Sequence, residues 1–245
     1  MALDIIVLAA GLGKRMRSGL PKVLHPLAGR PLLAHVLDAA RELSPRKTII
    51  VHGHGAEQVR ARFPDASLAW ALQAEQLGTG HAVMQALPHV AADQVLILYG
   101  DVPLIRPATL ERLRAAARDG LALLTVELSD PKGYGRIVRT RDGEGIERIV
   151  EEKDATPAEK EIDEVNSAIY AFDHAALKGV LDALTANNAQ GEYYLTDTVS
   201  LLQAKGAKAA VWCAEDAREL LGINTVEQLA EAEQAWLAMR RGSAR

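Results

Sequence analysis

Apolar residues in this chain fall into two patterns that alternate from the start. Short unbroken runs, Ile5–Leu8, Thr48–Val51, Leu68–Leu72, Ala122–Val126, Val165–Phe172 and Ala209–Cys213, read as strands. Val95-Leu-Ile-Leu-Tyr-Gly-Asp101 is another, buried on both faces and ending in a carboxylate. Between them apolar positions recur every three or four residues, which predicts helices over Pro31–Ala40, Glu57–Phe63, His81–Leu87, Thr109–Ala117, Ala175–Leu184 and Leu195–Gln203. Pro64 closes the second of these, and a long Ala/Glu/Leu helix is predicted from Thr225 onward. This rhythm predicts an α/β fold, a Rossmann-like, mainly parallel sheet covered by helices. Over Lys132–Lys153 the rhythm breaks into glycine-punctuated alternation, as in Tyr134-Gly-Arg-Ile-Val138 and Gly145–Val150. That pattern predicts antiparallel hairpins, and hence a mixed lobe resting on the parallel core.

Composition narrows the class. A chain of 245 residues with 49% hydrophobic content supports one large domain, though only 4% is aromatic, so the core must rest on Leu, Val, Ile and Ala. A net charge of −4 gives no reason to expect nucleic acid or a membrane as partner, and any basic patch must be local. The single Cys213 excludes an intrachain disulfide and a cysteine-built metal cluster. The first apolar run is too short for a signal peptide or a membrane span, which makes a cytoplasmic protein the expectation. His52 and His54 lack a third ligand nearby and read as loop residues.

The local basic patch follows the first strand at once. Gly11 and Gly13 leave room for a ligand to approach the main chain, and Lys14, Arg15, Arg17 and Lys22 follow with no acid among them. A buried strand feeding a glycine turn and several cations is suited to holding phosphates. The dinucleotide fingerprint fits only in part, since Met16 stands where its third glycine belongs, and the P-loop fails because Arg15 follows Gly13-Lys14. A surface turn with solvated cations is the plainer alternative; the position beyond a buried strand, at the presumed carboxyl edge of the sheet, favours phosphate binding.

Leu8-Ala-Ala-Gly11-x-Gly13-x-Arg15-Met16, followed by Leu20-Pro-Lys22, closely resembles the signature of the sugar-phosphate nucleotidyltransferases. Later segments, among them Gln73-Ala-Glu-Gln-Leu-Gly-Thr-Gly80, narrow the resemblance to the bacterial N-acetylglucosamine-1-phosphate uridyltransferases. The resemblance implies the nucleotide-diphospho-sugar transferase fold over residues 1–228, a sugar-binding lobe at about 132–195, and a C-terminal helix over 229–245. It implies UTP and N-acetylglucosamine 1-phosphate as substrates, with UDP-N-acetylglucosamine, a cell-envelope precursor, and pyrophosphate as products. Bifunctional members continue into a left-handed β-helix of hexapeptide repeats. No such repeats occur in this sequence, so the acetyltransferase domain is expected to be absent. The chain is then expected to be a monomer, with trimers only where that β-helix is attached.

Site residues follow from the matched motifs. Arg15 and Lys22 match the triphosphate contacts, and Leu8, Ala9, Ala10 and Gly11 the backbone against the nucleotide. Tyr99-Gly100-Asp101 matches the metal-aspartate motif and Asn224 its partner ligand, implying Mg²⁺; without the resemblance, Asp101 reads equally as a cap of the next turn. Gln73, by itself a surface residue, matches the base reader: an amide offers an acceptor and a donor pair to the N3–H and a carbonyl of uracil. Gly78 and Thr79 would close that pocket. On the sugar side, Gly135, Glu151 and Asn166 match contact positions, with Tyr194 and Thr196 close by. One departure stands out: the family's Asn-Thr-Gly is Asn166-Ser-Ala168 here, and on a regular strand Ala168 would share a face with Asn166. The alternatives left open are a pyrophosphorylase for another sugar or base, and a catalytically silent nucleotide-sugar sensor.

Overall fold

A computed structural model describes residues 1–11, 13–117 and 120–242. Leu12 of the first loop, the side chain of Lys14, and residues 243–245 of the expected C-terminal helix lie outside the described residues. In chain order the elements are β1 (Leu3–Leu8), a small hairpin β2 (Pro26–Leu27) and β3 (Arg30–Pro31), α1 (Leu32–Glu42), β4 (Lys47–His52), α2 (Ala56–Arg62), β5 (Leu68–Leu72), α3 (Thr79–Ala86) and β6 (Gln94–Tyr99). Then come α4 (Pro107–Ala116), β7 (Gly120–Glu127), β8 (Arg136–Arg139), β9 (Ile146–Val150), α5 (Pro157–Lys160) and β10 (Glu164–Asp173). The chain continues through α6 (His174–Leu181), α7 (Asp197–Ala204), β11 (Lys208–Cys213) and α8 (Val226–Gly242).

The sheet runs β11-β7-β10-β6-β1-β4-β5, with β8 pairing β10 and β9. β6, β1, β4 and β5 are mutually parallel, as are β11 and β7, while β10 is antiparallel to both its neighbours. The expected mixed lobe is therefore the β8–β9 hairpin with β10, joined to the main sheet rather than standing beside it. β1 shows why this stack forms. All its residues are buried, and its faces alternate: Ile5 and Val7 pack with Leu33, Val36 and Leu37 of α1, while Ile6 and Leu8 pack with Ala82, Val83 and Ala86 of α3. Burying side chains on both faces is what turns a short apolar run into the centre of a helix-covered sheet.

Two small elements escaped the sequence pattern. The β2–β3 hairpin has two residues a side, and α5 has four, too few to show a period. α5 is set locally instead: Thr156 accepts from the Glu159 N–H, Glu159 reaches back to the Thr156 N–H, and Pro157 opens the first turn. Among the described residues no helix is long and apolar enough to cross a membrane.

One expectation is overturned here. β10 does not keep its alternation, because its register to β7 shifts between Asn166 and Tyr170. Ala168 sits inside that bulge with φ +65°, in the left-handed region, so strand alternation no longer relates it to Asn166, although both line the same cleft. Asn166 Oδ1 accepts from the Ala168 N–H at 3.0 Å, an Asx turn that makes the bulge, and Ser167 Oγ bonds the Leu124 carbonyl at 2.6 Å.

Candidate functional site

The chain winds outward from β1 through β4 to β5, then returns to place β6 on the other side of β1. Loops leaving the carboxyl ends of β1 and β6 therefore diverge and open a crevice between them. Backbone bonds hold its floor: Gly100 N–H donates to the Leu8 carbonyl at 2.9 Å and Ala9 N–H to the Val51 carbonyl at 2.8 Å. The cleft above this floor has a volume of about 390 Å³.

One wall of the cleft is the first loop. Gly13 adopts φ +59°, and a Cβ on it would lie 2.9 Å from the Cβ of Lys22, so glycine lets the loop fold back beneath that lysine. A methyl on Gly11 would meet no protein atom. Pro21 (φ −50°) leads into a single 3-10 turn that starts at Lys22 and aims its ammonium across the crevice. There Lys22 Nζ forms an ion pair with Asp101 Oδ2 and donates to Asn224 Oδ1 at 2.9 Å.

Asn224 reaches this point through the packing of α8. Ile223 is fully buried against Leu27, Leu32, Leu104, Ala232 and Ala235, and its N–H donates to the Asp101 carbonyl at 2.9 Å. Gln228 in the first turn of α8 accepts from the Asn224 N–H at 2.8 Å. A carboxylate and an amide oxygen thus converge on one cationic atom. Two hard oxygen donors around one positive charge are a donor set that suits Mg²⁺. Arg15 is exposed on the same wall.

At the other end, Gln73 follows β5, its N–H bonded to the His52 carbonyl at 2.8 Å. It is 3% exposed, which corrects its reading as a surface residue. Its Nε2 lies 3.0 Å from the Gly78 carbonyl and 3.2 Å from His81 Nδ1, so both amide hydrogens are taken and only Oε1 remains for a ligand. The expected acceptor-and-donor pairing is thereby reduced to an acceptor. Gly78 has φ +108°, and a Cβ there would come within 2.6 Å of the Tyr193 carbonyl. Thr79 opens α3, and its hydroxyl accepts from the Leu195 N–H at 3.0 Å, tying this loop to the segment before α7.

The residues expected on the sugar side divide. Asn166 lines the cleft, with its Nδ2 bonded to the Tyr170 hydroxyl at 2.7 Å. Glu151 and Thr196 bond each other, Thr196 Oγ1 donating at 3.0 Å, and Gly135 lies beside Glu151. The Glu151 carboxyl is pushed above its ordinary range, chiefly by burial and further by Asp197, Asp154 and Glu192, against the lowering effect of Thr196. Tyr194 does not face the cleft. Its hydroxyl donates to Asp154 Oδ2 at 3.0 Å and accepts from Gln190 at 2.8 Å, and its pKa is pushed up to about 12, mainly by burial. Gly135, Glu151, Thr196 and Gly100 also lie behind the lining, Gly100 packed against Val23, Leu33 and Ala9.

The lining also holds residues that the sequence reading passed over: Gln76, Gly133, Tyr134, Ser167 and Glu192. Tyr134 stands between the Asp101 side of the cleft and the Gly222 backbone. Burial and the negative charge of Asp101 push its phenol up, while a Gly222 backbone hydrogen bond and Arg15 oppose them. Gln76 and Tyr134 stand inside motifs already quoted, so their motif positions were the available signal. Glu192 stands in the segment Gly191–Asp197 from which only Tyr194 and Thr196 were singled out.

A family model described as MobA-like NTP transferase domain matches residues 5–232. Among curated relatives, the chain is 54% identical over 233 residues to the bifunctional protein GlmU of Dechloromonas aromatica (strain RCB), covering 95% of this chain and 51% of that protein. It is 56% identical over 234 residues to bifunctional protein GlmU of Burkholderia orbicola (strain AU 1054), with 95% and 51% covered. Identity to bifunctional protein GlmU of Pseudomonas aeruginosa (strain LESB58) is 53% over 241 residues, with 98% and 53% covered. The chain thus spans about half the length of the curated relatives it matches. Among solved structures, a Bacillus anthracis protein crystallised with sucrose and described as a glucose-1-phosphate thymidylyltransferase superposes with a TM-score of 0.76. Identity is 19%, over 96% of this chain and 95% of that one, so the likeness shows the fold.

Proposed function

The chain belongs to the family of MobA-like NTP transferase domains, and from that membership we propose that it joins UTP and N-acetylglucosamine 1-phosphate into UDP-N-acetylglucosamine and pyrophosphate. The observation that carries this reading is the convergence of Lys22, Asp101 and Asn224 at the carboxyl edge of β1 and β6, beside the glycine loop. The substrate assignment is supported by the motif resemblance and by relatives named bifunctional protein GlmU at 53–56% identity.

In this reading the phosphate oxygen of the sugar phosphate attacks the α-phosphorus of UTP in line. A new P–O bond forms, the bond between the α-phosphorus and the bridging oxygen breaks, and pyrophosphate leaves with that electron pair. Arg15 and Lys22 offset the negative charge of the phosphates, and the Leu8–Gly11 backbone lies against the nucleotide. Asp101 and Asn224 would hold Mg²⁺, which supplies charge neutralisation and alignment of the phosphate oxygens. Gln73 Oε1 accepts the N3–H of the base, Gly78 and Thr79 border it, and Asn166 faces the sugar. Glu151, Thr196 and Gly135 support the sugar wall from behind. The test is a pyrophosphate-release screen over four nucleoside triphosphates and several sugar 1-phosphates. Fastest turnover is expected for UTP with N-acetylglucosamine 1-phosphate, and preference for another pair would overturn the assignment.

A further inference from the structure

Gln73 shows its orientation through its partners. A backbone carbonyl can only accept, so the amide atom 3.0 Å from the Gly78 carbonyl is the nitrogen. That same nitrogen lies 3.2 Å from His81 Nδ1, which must then present a lone pair, leaving the imidazole proton on Nε2. The Gln85 amide nitrogen lies 3.1 Å from Nε2 and 3.3 Å from the His81 carbonyl; turning this half-buried amide over gives up that longer bond and sets its oxygen toward the Nε2 proton. His81 is held in place from the other side as well: it stands in the first turns of α3, with the Tyr193 ring 6.4 Å from its own.

We propose that His81 is a specificity-determining positioning residue: it takes the second amide hydrogen of Gln73 and so locks Oε1 as the only atom offered to the base. The inference rests on reading this end of the cleft as the base site. An amide held by two acceptors does not turn over, because the turned form would set its oxygen against both the Gly78 carbonyl and the Nδ1 lone pair. A locked acceptor pairs with the N3–H of uracil and opposes the bare N3 of cytosine. With His81 removed, only the Gly78 carbonyl opposes the turned form, in which the amide N–H groups can meet cytosine.

The experiment measures binding of UTP and CTP by isothermal titration calorimetry in wild type, His81→Leu, His81→Asn and Gln73→Ala, with folding checked by thermal melts. His81→Leu removes the acceptor and should narrow the ratio of CTP to UTP dissociation constants by roughly three- to tenfold, the worth of one buried hydrogen bond. His81→Asn restores an acceptor oxygen on a short side chain and should recover most of that ratio, which a merely structural role would not produce. An unchanged ratio in His81→Leu, or an Asn variant no closer to wild type than Leu, would overturn the proposal. The pyrophosphate screen separates the two readings. If turnover fails but the binding ratio responds to His81, the reaction is wrong and the inference stands; if turnover succeeds and Gln73→Ala narrows the ratio while His81→Leu does not, only the inference falls.

Discussion

Replacing Ala168 by glycine should stabilise the protein. Ala168 has φ +65° in the β10 bulge, a conformation that costs an L residue about 1–2 kcal/mol. Glycine removes that cost but loosens the unfolded chain by about 0.4–1 kcal/mol. The side chain lost is one half-buried methyl, and the bond from the Ala168 N–H to Asn166 Oδ1 at 3.0 Å is kept, since it involves only the backbone at 168. The net expectation is a gain of about 0.5–1 kcal/mol, which in a chain of this size raises Tm by about 1–4 °C. Thermal and urea melts of Ala168→Gly and Ala168→Val check it, with valine expected to fall below wild type. A lower Tm for the glycine variant would refute the strain argument. Because Ala168 lines the cleft, kcat/KM for N-acetylglucosamine 1-phosphate and glucose 1-phosphate should be read in the same proteins. One methyl is worth about 1–3 kcal/mol at most, so the preference should move without reversing.

Asp101→Ala should lower kcat by roughly 10²–10³-fold, about 3–4 kcal/mol, while leaving the melting curve near wild type; near-normal turnover at saturating Mg²⁺ would remove Asp101 from the site. The Lys22 ammonium bonds the two oxygens proposed to hold the metal, so Lys22→Met should bind Mn²⁺ more tightly in an electron paramagnetic resonance titration even as its turnover falls. Weaker Mn²⁺ binding would show that the three groups do not compete. Glu151 has a raised pKa in the fold, chiefly through burial, so folding disfavours its charged form and the stability this group contributes is lost as pH rises from its ordinary value through the folded one. Glu151→Gln should therefore gain Tm relative to wild type as pH rises above the ordinary carboxylate pKa; a difference that does not change with pH would contradict the burial effect.

What the sequence determined by itself is what short-range patterning controls. The apolar runs of β1 and β6 fixed their burial, the alternation of strands and helices fixed the parallel core, and the glycine spacing around Lys22 fixed a loop that lets the lysine fold over it. The strand before it placed Asp101 at the carboxyl edge, but a part for Asp101 in the site, like one for Asn224, came only through a matched motif. Their meeting was decided by tertiary structure: Lys22 and Asn224 are 202 positions apart, and it is the burial of Ile223 beneath α8 that brings them within 2.9 Å. The same holds for the cleft's finer chemistry. Gln73 has a donor pair in any sequence, but whether those hydrogens reach a base depends on where the Gly78 carbonyl and His81 end up. Ala168 reads as an ordinary strand residue until Asn166 turns back on its N–H and shifts the register. Tyr194 matches its motif, yet Asp154 draws its hydroxyl away from the cleft. Periodicity reports which face of an element meets the core, because that depends only on neighbours along the chain. Hydrogen-bond partners come from wherever the fold brings the chain back, and no local pattern encodes that return.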